Sequence, residues 1–179
     1  MSAAEPARRN VELKATDPAP ARSLDVCRTL GATDHGVLLQ RDTYFDVPHG
    51  GLKLREESPG APHLIQFERA DQAQERLSSY RVMAVDDGET ALAALSTALG
   101  VRGIVAKRRH LFIWQTVRIH LDEVDDLGSF IELEAVASPE SDLTREYHLV
   151  AELRTAFAIT DDRLCATGYA AQLADRSPA

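Results

Sequence analysis

The sequence predicts an α+β fold: a closed antiparallel β-barrel of about eight strands, with a charged lumen and helices packed outside. Three observations carry the prediction. Nearly every β-prone stretch alternates apolar residues with charged or polar ones, which gives each strand one apolar and one ionic face. The charges are sorted by strand, some strands basic and others acidic, where a solvated sheet face would mix Thr, Ser, Lys and Glu. Each helical stretch carries one apolar stripe, which implies packing against a sheet. An open sheet with one wet face is the competing architecture, because strands of this kind are common in such sheets.

Asn10 to Ala15 is the first strand, with Asn10, Glu12 and Lys14 on one face and Val11, Leu13 and Ala15 on the other. Asp17 is expected to cap a helix with Pro18 at its first position; Leu24, Cys27 and Leu30 form its stripe and Gly31 ends it. Val37 to Val47 is a long strand, joined through Pro48-His49-Gly50-Gly51 to Leu52–Arg55 as a hairpin. Ser58 to Pro62 breaks the chain before a strand at His63–Arg69. The polar stretch Ala70 to Arg76 reads as a loop, and Leu77 to Val85 as a strand carrying Arg81. Asp86 or Asp87 caps a second helix, with Leu92, Leu95 and Leu99 on one face and Gly100 closing it. Ile104 to Ile113 is a strand on which Lys107 and Arg109 share a face. Val117 to Ala135 is a further hairpin, with Arg118, His120 and Asp122 on one face of its first arm and Glu132 and Glu134 on one face of its second. From about Asp142 a third helix turns Leu149, Val150, Leu153 and Phe157 inward, and a short terminal helix starts near Asp161-Asp162 and carries Tyr169 and Leu173. The ends, Met1 to Arg8 and Arg176 to Ala179, read as loose.

A chain of 179 residues is long enough for one domain, here with a core over about residues 9–175, and too short for two. Its net charge of -8 argues against a nucleic-acid binder that works through a broadly basic surface. No apolar run approaches the roughly 18 residues of a membrane span. Met1 to Asn10 lacks the apolar centre of a signal peptide, so the expected location is the cytoplasm, without membrane attachment. Cys27 and Cys165 show no metal-ligand spacing and are expected as buried free thiols.

On the ionic faces the basic positions are Lys14, Lys53, Arg55, Arg81, Lys107, Arg109 and Arg118, and the acidic ones Glu12, Asp122, Glu132 and Glu134. Such an excess inside a barrel needs counter-charge. Seven cations opposite a carboxylate cluster suit a polyphosphate chain held by Lys and Arg, with Mg²⁺ or Mn²⁺ bridging carboxylate and phosphate oxygens. Among the remaining residues, His49, His63 and His110 read as structural or exposed, Phe112 and Trp114 as packing residues, and Glu56 and Glu68 as exposed. His120 can donate to phosphate, against a structural role that its position favours. No nucleophilic triad, Gly-rich phosphate loop or zinc spacing is present. Catalysis would then be metal-assisted phosphoryl chemistry, with Glu12 or a hydroxide on the cation as base.

The segments Arg9-Asn10-Val11-Glu12-Leu13-Lys14-Ala15, Gln40-Arg41-Asp42-Thr43-Tyr44-Phe45, Leu52-Lys53-Leu54-Arg55-Glu56, Lys107-Arg108-Arg109, Ile119 to Val124, Leu127 to Glu134, and Gly168-Tyr169 with Leu173, in this order, resemble the CYTH superfamily. Within it they are most similar to the bacterial class IV adenylate cyclase-like branch. The resemblance covers nearly the whole chain. It implies an eight-stranded antiparallel tunnel that binds a triphosphate end-on with a divalent metal, in a family of adenylate cyclases, thiamine triphosphatases and inorganic triphosphatases. Carried over by position, Glu12, Glu132 and Glu134 would hold Mg²⁺ or Mn²⁺, with Asp122 in or near that shell. Lys14, Lys53, Arg55, Arg81, Lys107, Arg109 and Arg118 would contact phosphate oxygens, and Glu12 and Lys14 would be catalytic. The family signature Glu-x-Glu-x-Lys has Asn10 in its first place, an oxygen donor without charge. Arg69 falls near a family position for a basic residue, and strand parity leaves its direction open. The expected ligands are ATP, thiamine triphosphate or tripolyphosphate, in a monomer or homodimer. The alternative, favoured by Asn10, is a module that binds polyphosphate or nucleotide without turnover.

Overall fold

The computed structural model describes residues 7–176. In chain order its elements are β1 (Arg8–Thr16), α1 (Pro20–Thr29), β2 (Thr33–Phe45), β3 (Gly51–Ser58), β4 (His63–Arg69), β5 (Arg76–Ala84), α2 (Gly88–Leu99), β6 (Val101–Trp114), β7 (Val117–Val124), β8 (Gly128–Ala137), α3 (Thr144–Ala156) and α4 (Tyr169–Arg176). The strands close into one antiparallel barrel in the order β1-β5-β4-β3-β2-β6-β7-β8, with β8 pairing back onto β1. Closure pairs every strand on both sides and removes the edges that an open sheet would leave, so the open-sheet alternative falls.

Alternation then decides what each face meets. On β1, β7 and β8 the apolar residues point outward: Val11, Leu13, Ile119, Ile131 and Leu133 are buried together with Cys27 of α1 and Leu149, Val150 and Leu153 of α3. The main hydrophobic core therefore lies between the barrel wall and the helices outside it. Each fully buried Leu or Ile there contributes roughly 1.5–3 kcal/mol. A smaller apolar cluster lies at one end of the lumen, where Val105, Val124 and Phe130 point inward against Tyr169 of α4, with Tyr44 and Leu173 alongside. The rings of Phe130 and Tyr169 meet edge to face at 5.0 Å. Helix α4 plugs that end of the barrel.

Three local expectations change. Asp17 does not cap α1: its Oδ1 accepts from the Ala19 N–H, and the helix starts at Pro20, the residue before it being held out of the helical region. The terminal helix does not start near Asp161. A 3-10 turn at Asp161–Arg163 gives way to an extended link in which Leu164 bridges Ala15 and the Cys165 N–H donates to the Lys14 carbonyl, so helix waits until Tyr169. Of the ends expected to be loose, Arg8 opens β1 and Arg176 ends α4, while residues 1–6 and 177–179 lie outside the described residues. Asp87, not Asp86, caps α2, its carboxylate accepting from the Thr90 N–H. Cys27 and Cys165 are free, Cys27 fully buried and Cys165 half-buried, and burial pushes the Cys27 thiol up to about 12. Among the described residues no helix is long and apolar enough to cross a membrane.

Candidate active site

The barrel encloses a cavity of about 440 Å³. Tyr44 and Tyr169 line it at the plugged end. Eight basic side chains (Arg8, Lys14, Lys53, Arg55, Arg69, Lys107, Arg109 and Arg118) face four carboxylates (Glu12, Glu57, Glu132 and Glu134) around its wall. The alternation of β1, β2, β3, β6, β7 and β8 puts their ionic faces inside.

Register builds the basic wall. Pairing of β2 with β3 sets Asp42 opposite Arg55, and pairing with β6 sets Gln40 opposite Lys107. Asp42 is fully buried and accepts from Lys53 at 2.8 Å, from Lys107 at 3.0 Å, and from Arg55 through two bonds of 2.7 Å. Burial opposes its charge, yet Lys107, Lys53 and Arg55 hold its carboxyl well below the usual carboxylate range. Burial pushes Lys53 and Lys107 down to about 8, against the pull of Asp42. Both lysines therefore keep most of their charge at neutral pH. One carboxylate cannot neutralise three cations, so this wall is left electropositive and suited to a multiply charged anion.

The opposite corner is acidic. Glu132 takes Lys14 at 2.7 Å and Arg109 at 2.5 Å, and Glu134 lies 3.7 Å from Arg118. Burial disfavours their ionisation, but Lys14 and Arg109 hold Glu132 well below its ordinary range, and His120 and Arg118 hold Glu134 low. His120 joins them, its Nδ1 lying 3.6 Å from Glu132 and 3.9 Å from Glu134. Donor atoms of the three residues all lie within 4.8 Å of one another. His120 Nδ1 and the Asn10 side-chain oxygen are buried and without a hydrogen-bond partner. Two ionised carboxylates and an imidazole fit a divalent cation, and Asn10 lines the same cavity from β1. Glu12 lines the cavity beside this corner and accepts from Arg69 at 3.0 Å and Arg76 at 2.8 Å.

Two residues expected in the site are placed elsewhere. Arg81 is exposed on the outer face of β5 and donates to Gln66 at 3.1 Å, because β5 turns Ser78, Tyr80 and Val82 inward. Asp122 does not line the cavity. It is buried behind Arg109, which it grips with bonds of 2.6 and 2.5 Å, and it accepts from the Tyr169 hydroxyl at 3.0 Å. Its carboxylate thus positions the Arg109 guanidinium, which in turn meets Glu132. The other six expected basic residues line the cavity, as do Glu12, Glu132 and Glu134. His63, read as structural or exposed, lines it too. Arg76, read as the end of a loop, opens β5 and is buried against Glu12. Arg69 turns inward, and Asp42 is the buried counter-charge of the basic wall. The signal for Asp42 was on the strand, two residues from Gln40 and Tyr44 on the same face. Leu38, Ile65, Phe67, Tyr80, Val82 and Leu111 give the same cavity an apolar side. Gly51 makes room for it, since a Cβ there would lie 2.2 Å from the Phe67 ring.

The structure is similar to that of the PH1012 protein from Pyrococcus horikoshii OT3, at 21% identity over 90% of this chain and 98% of that one, with a TM-score of 0.81. A protein of Vibrio parahaemolyticus provisionally assigned as an adenylate cyclase matches at 21% identity over 92% and 97%, with a TM-score of 0.75. A Hippeastrum protein, provisionally an adenylyl cyclase and described as having a dominant triphosphatase activity, matches at 14% identity over 90% and 91%, with a TM-score of 0.59. At these identities the likeness is one of fold. No curated protein sequence matches this chain. The CYTH domain family model matches residues 8–156, a span that holds all eight strands and so the whole cavity wall they form. On that match, the chain belongs to the CYTH family.

Proposed function

We propose that the barrel is the active site of a metal-dependent enzyme that hydrolyses an organic triphosphate. The observation that carries the reading is a single cavity in which an electropositive wall faces a cation-binding corner, the arrangement a phosphate chain bridged to a metal requires. The apolar side of the cavity favours a nucleotide or thiamine triphosphate over bare tripolyphosphate. The dominant triphosphatase activity described for the Hippeastrum protein supports hydrolysis as chemistry this fold can host.

Glu132 and Glu134 would hold Mg²⁺ or Mn²⁺, with the Asn10 oxygen on the same wall. Such a cation supplies charge neutralisation along the phosphate chain. Lys53, Arg55 and Lys107 bind and orient phosphate oxygens, and Arg109, fixed by Asp122, stabilises charge that develops on the leaving phosphate. Glu12, its Oε1 held by Arg69 and Arg76, would take a proton from attacking water, with Lys14 on the same strand as a further charge donor. Cyclisation demands an activated ribose oxygen at the α-phosphate, whereas hydrolysis demands only water, so a corner with Asn10 in place of a carboxylate favours hydrolysis. Asn10 also favours a second reading, a binding module without turnover.

Product separation from ATP, thiamine triphosphate and tripolyphosphate, each with Mg²⁺ and with Mn²⁺, tests the proposal. The expected result is terminal phosphate released faster from the two organic substrates. Abundant cyclic AMP would overturn the hydrolytic assignment, and the absence of product from all three would leave the binding module.

A further inference from the structure

We propose that His120 is a metal ligand, so that the cation site of this barrel has a nitrogen donor and prefers transition ions such as Mn²⁺ or Co²⁺ over Mg²⁺. The inference rests on the triphosphate reading above and adds a residue and a selectivity to it. His120 alternates with Arg118 and Asp122 on β7, and the register sets it opposite Glu132 on β8. Its side chain is 5% exposed, and the buried Nδ1 has no hydrogen-bond partner. A buried imidazole nitrogen without a partner is costly to keep, so the position calls for an occupant.

What Nδ1 faces identifies the occupant. Glu132 Oε2 at 3.6 Å and Glu134 Oε1 at 3.9 Å are too far for hydrogen bonds, which span roughly 2.7–3.2 Å. Two donors on one octahedral ion, each about 2.1 Å from it, stand roughly 3 Å apart when adjacent and about 4.2 Å apart when opposite. The observed separations of 3.6 and 3.9 Å are wider than those of adjacent donors, so the three side chains close by several tenths of an ångström to share one ion. The closest cationic contacts of Glu132, Lys14 on one oxygen and Arg109 on the other, compete with an ion, so the site is expected to fill together with a phosphate chain that draws those cations away. Mg²⁺ takes oxygen donors, whereas imidazole raises affinity along the transition series.

The probe is Mn²⁺ added to the full chain with tripolyphosphate present and absent, read by pulsed electron paramagnetic resonance. A coordinated imidazole imposes a nitrogen modulation on the ion's signal, and labelling the histidines with the heavier nitrogen isotope changes it. The expected result is that modulation in the parent and its loss in His120→Asn, with the ratio of Mn²⁺ to Mg²⁺ affinity falling about tenfold or more in the variant. Circular dichroism checks the fold of His120→Asn; should it fail, the isotope-labelled parent decides alone. Mn²⁺ bound without nitrogen modulation overturns the histidine ligand and leaves the triphosphate reading intact. A parent that binds no Mn²⁺ with or without tripolyphosphate overturns both.

Discussion

Asp42 meets three cations and no water, so its removal has opposite effects on the protein and on its ligand. Asp42→Asn leaves buried cations unpaired and is expected to cost about 3–5 kcal/mol by urea denaturation. The same variant should show a larger rise in thermal midpoint with tripolyphosphate than the parent, because the anion replaces the lost charge; an equal rise would mean that the ligand does not sit on this wall. Lys107→Ala should weaken tripolyphosphate binding about tenfold or more by calorimetry. Arg81→Ala, an exposed position, should leave affinity unchanged and stability within about 0.5 kcal/mol. Arg81 was misplaced for a definite reason. Charged side chains of β1, β2, β3, β6, β7 and β8 line the cavity, whereas β4 and β5 turn Ile65, Phe67, Tyr80 and Val82 inward and leave Arg81 on the outer face. Arg69, inward at the end of β4, was ambiguous on the same ground.

At the scale of elements, strands and helices were legible from period alone, whereas their ends depended on partners distant in sequence. The stripe of Leu149, Val150 and Leu153 was plain, and α3 buries it on the outer face of the barrel. Leu153→Ala should cost about 2–5 kcal/mol in chemical denaturation while leaving tripolyphosphate affinity of the folded protein unchanged, since the core and the cavity lie on opposite faces of the wall. A matched loss of affinity would show that the helices tune the lumen through the strands. The terminal helix was misjudged because Leu164 pairs with Ala15, a contact no local propensity encodes. Asp122 keeps the lumen face that strand parity gives it, and the packing of Arg109 and Tyr169 in front of it keeps it from lining the cavity.

Over the whole molecule, folding and ligand binding respond to alkaline pH in opposite directions. Lys53 and Lys107 are pushed by burial from 10.5 to about 8, so above about pH 8 the folded protein sheds protons that the unfolded chain keeps. Stability should therefore rise from about pH 8 to 9, where Cys27, raised from 9.0 to about 12, begins to act in the other sense. Tripolyphosphate needs both ammonium groups, and its affinity should fall as pH rises through about 8. Thermal midpoints and calorimetry between pH 7 and 10 check the two slopes, and an affinity that stays level to pH 10 would show that neither lysine touches the anion. The plug formed by α4 has a kinetic consequence. With Tyr169 packed against Phe130, Val105 and Val124, buried side chains fill that end of the lumen, and a ligand is expected to enter and leave at the other. A shortened phosphate chain left behind after turnover would stand between the next molecule and the basic wall, so reaction products should act as competitive inhibitors, and their departure would set the pace.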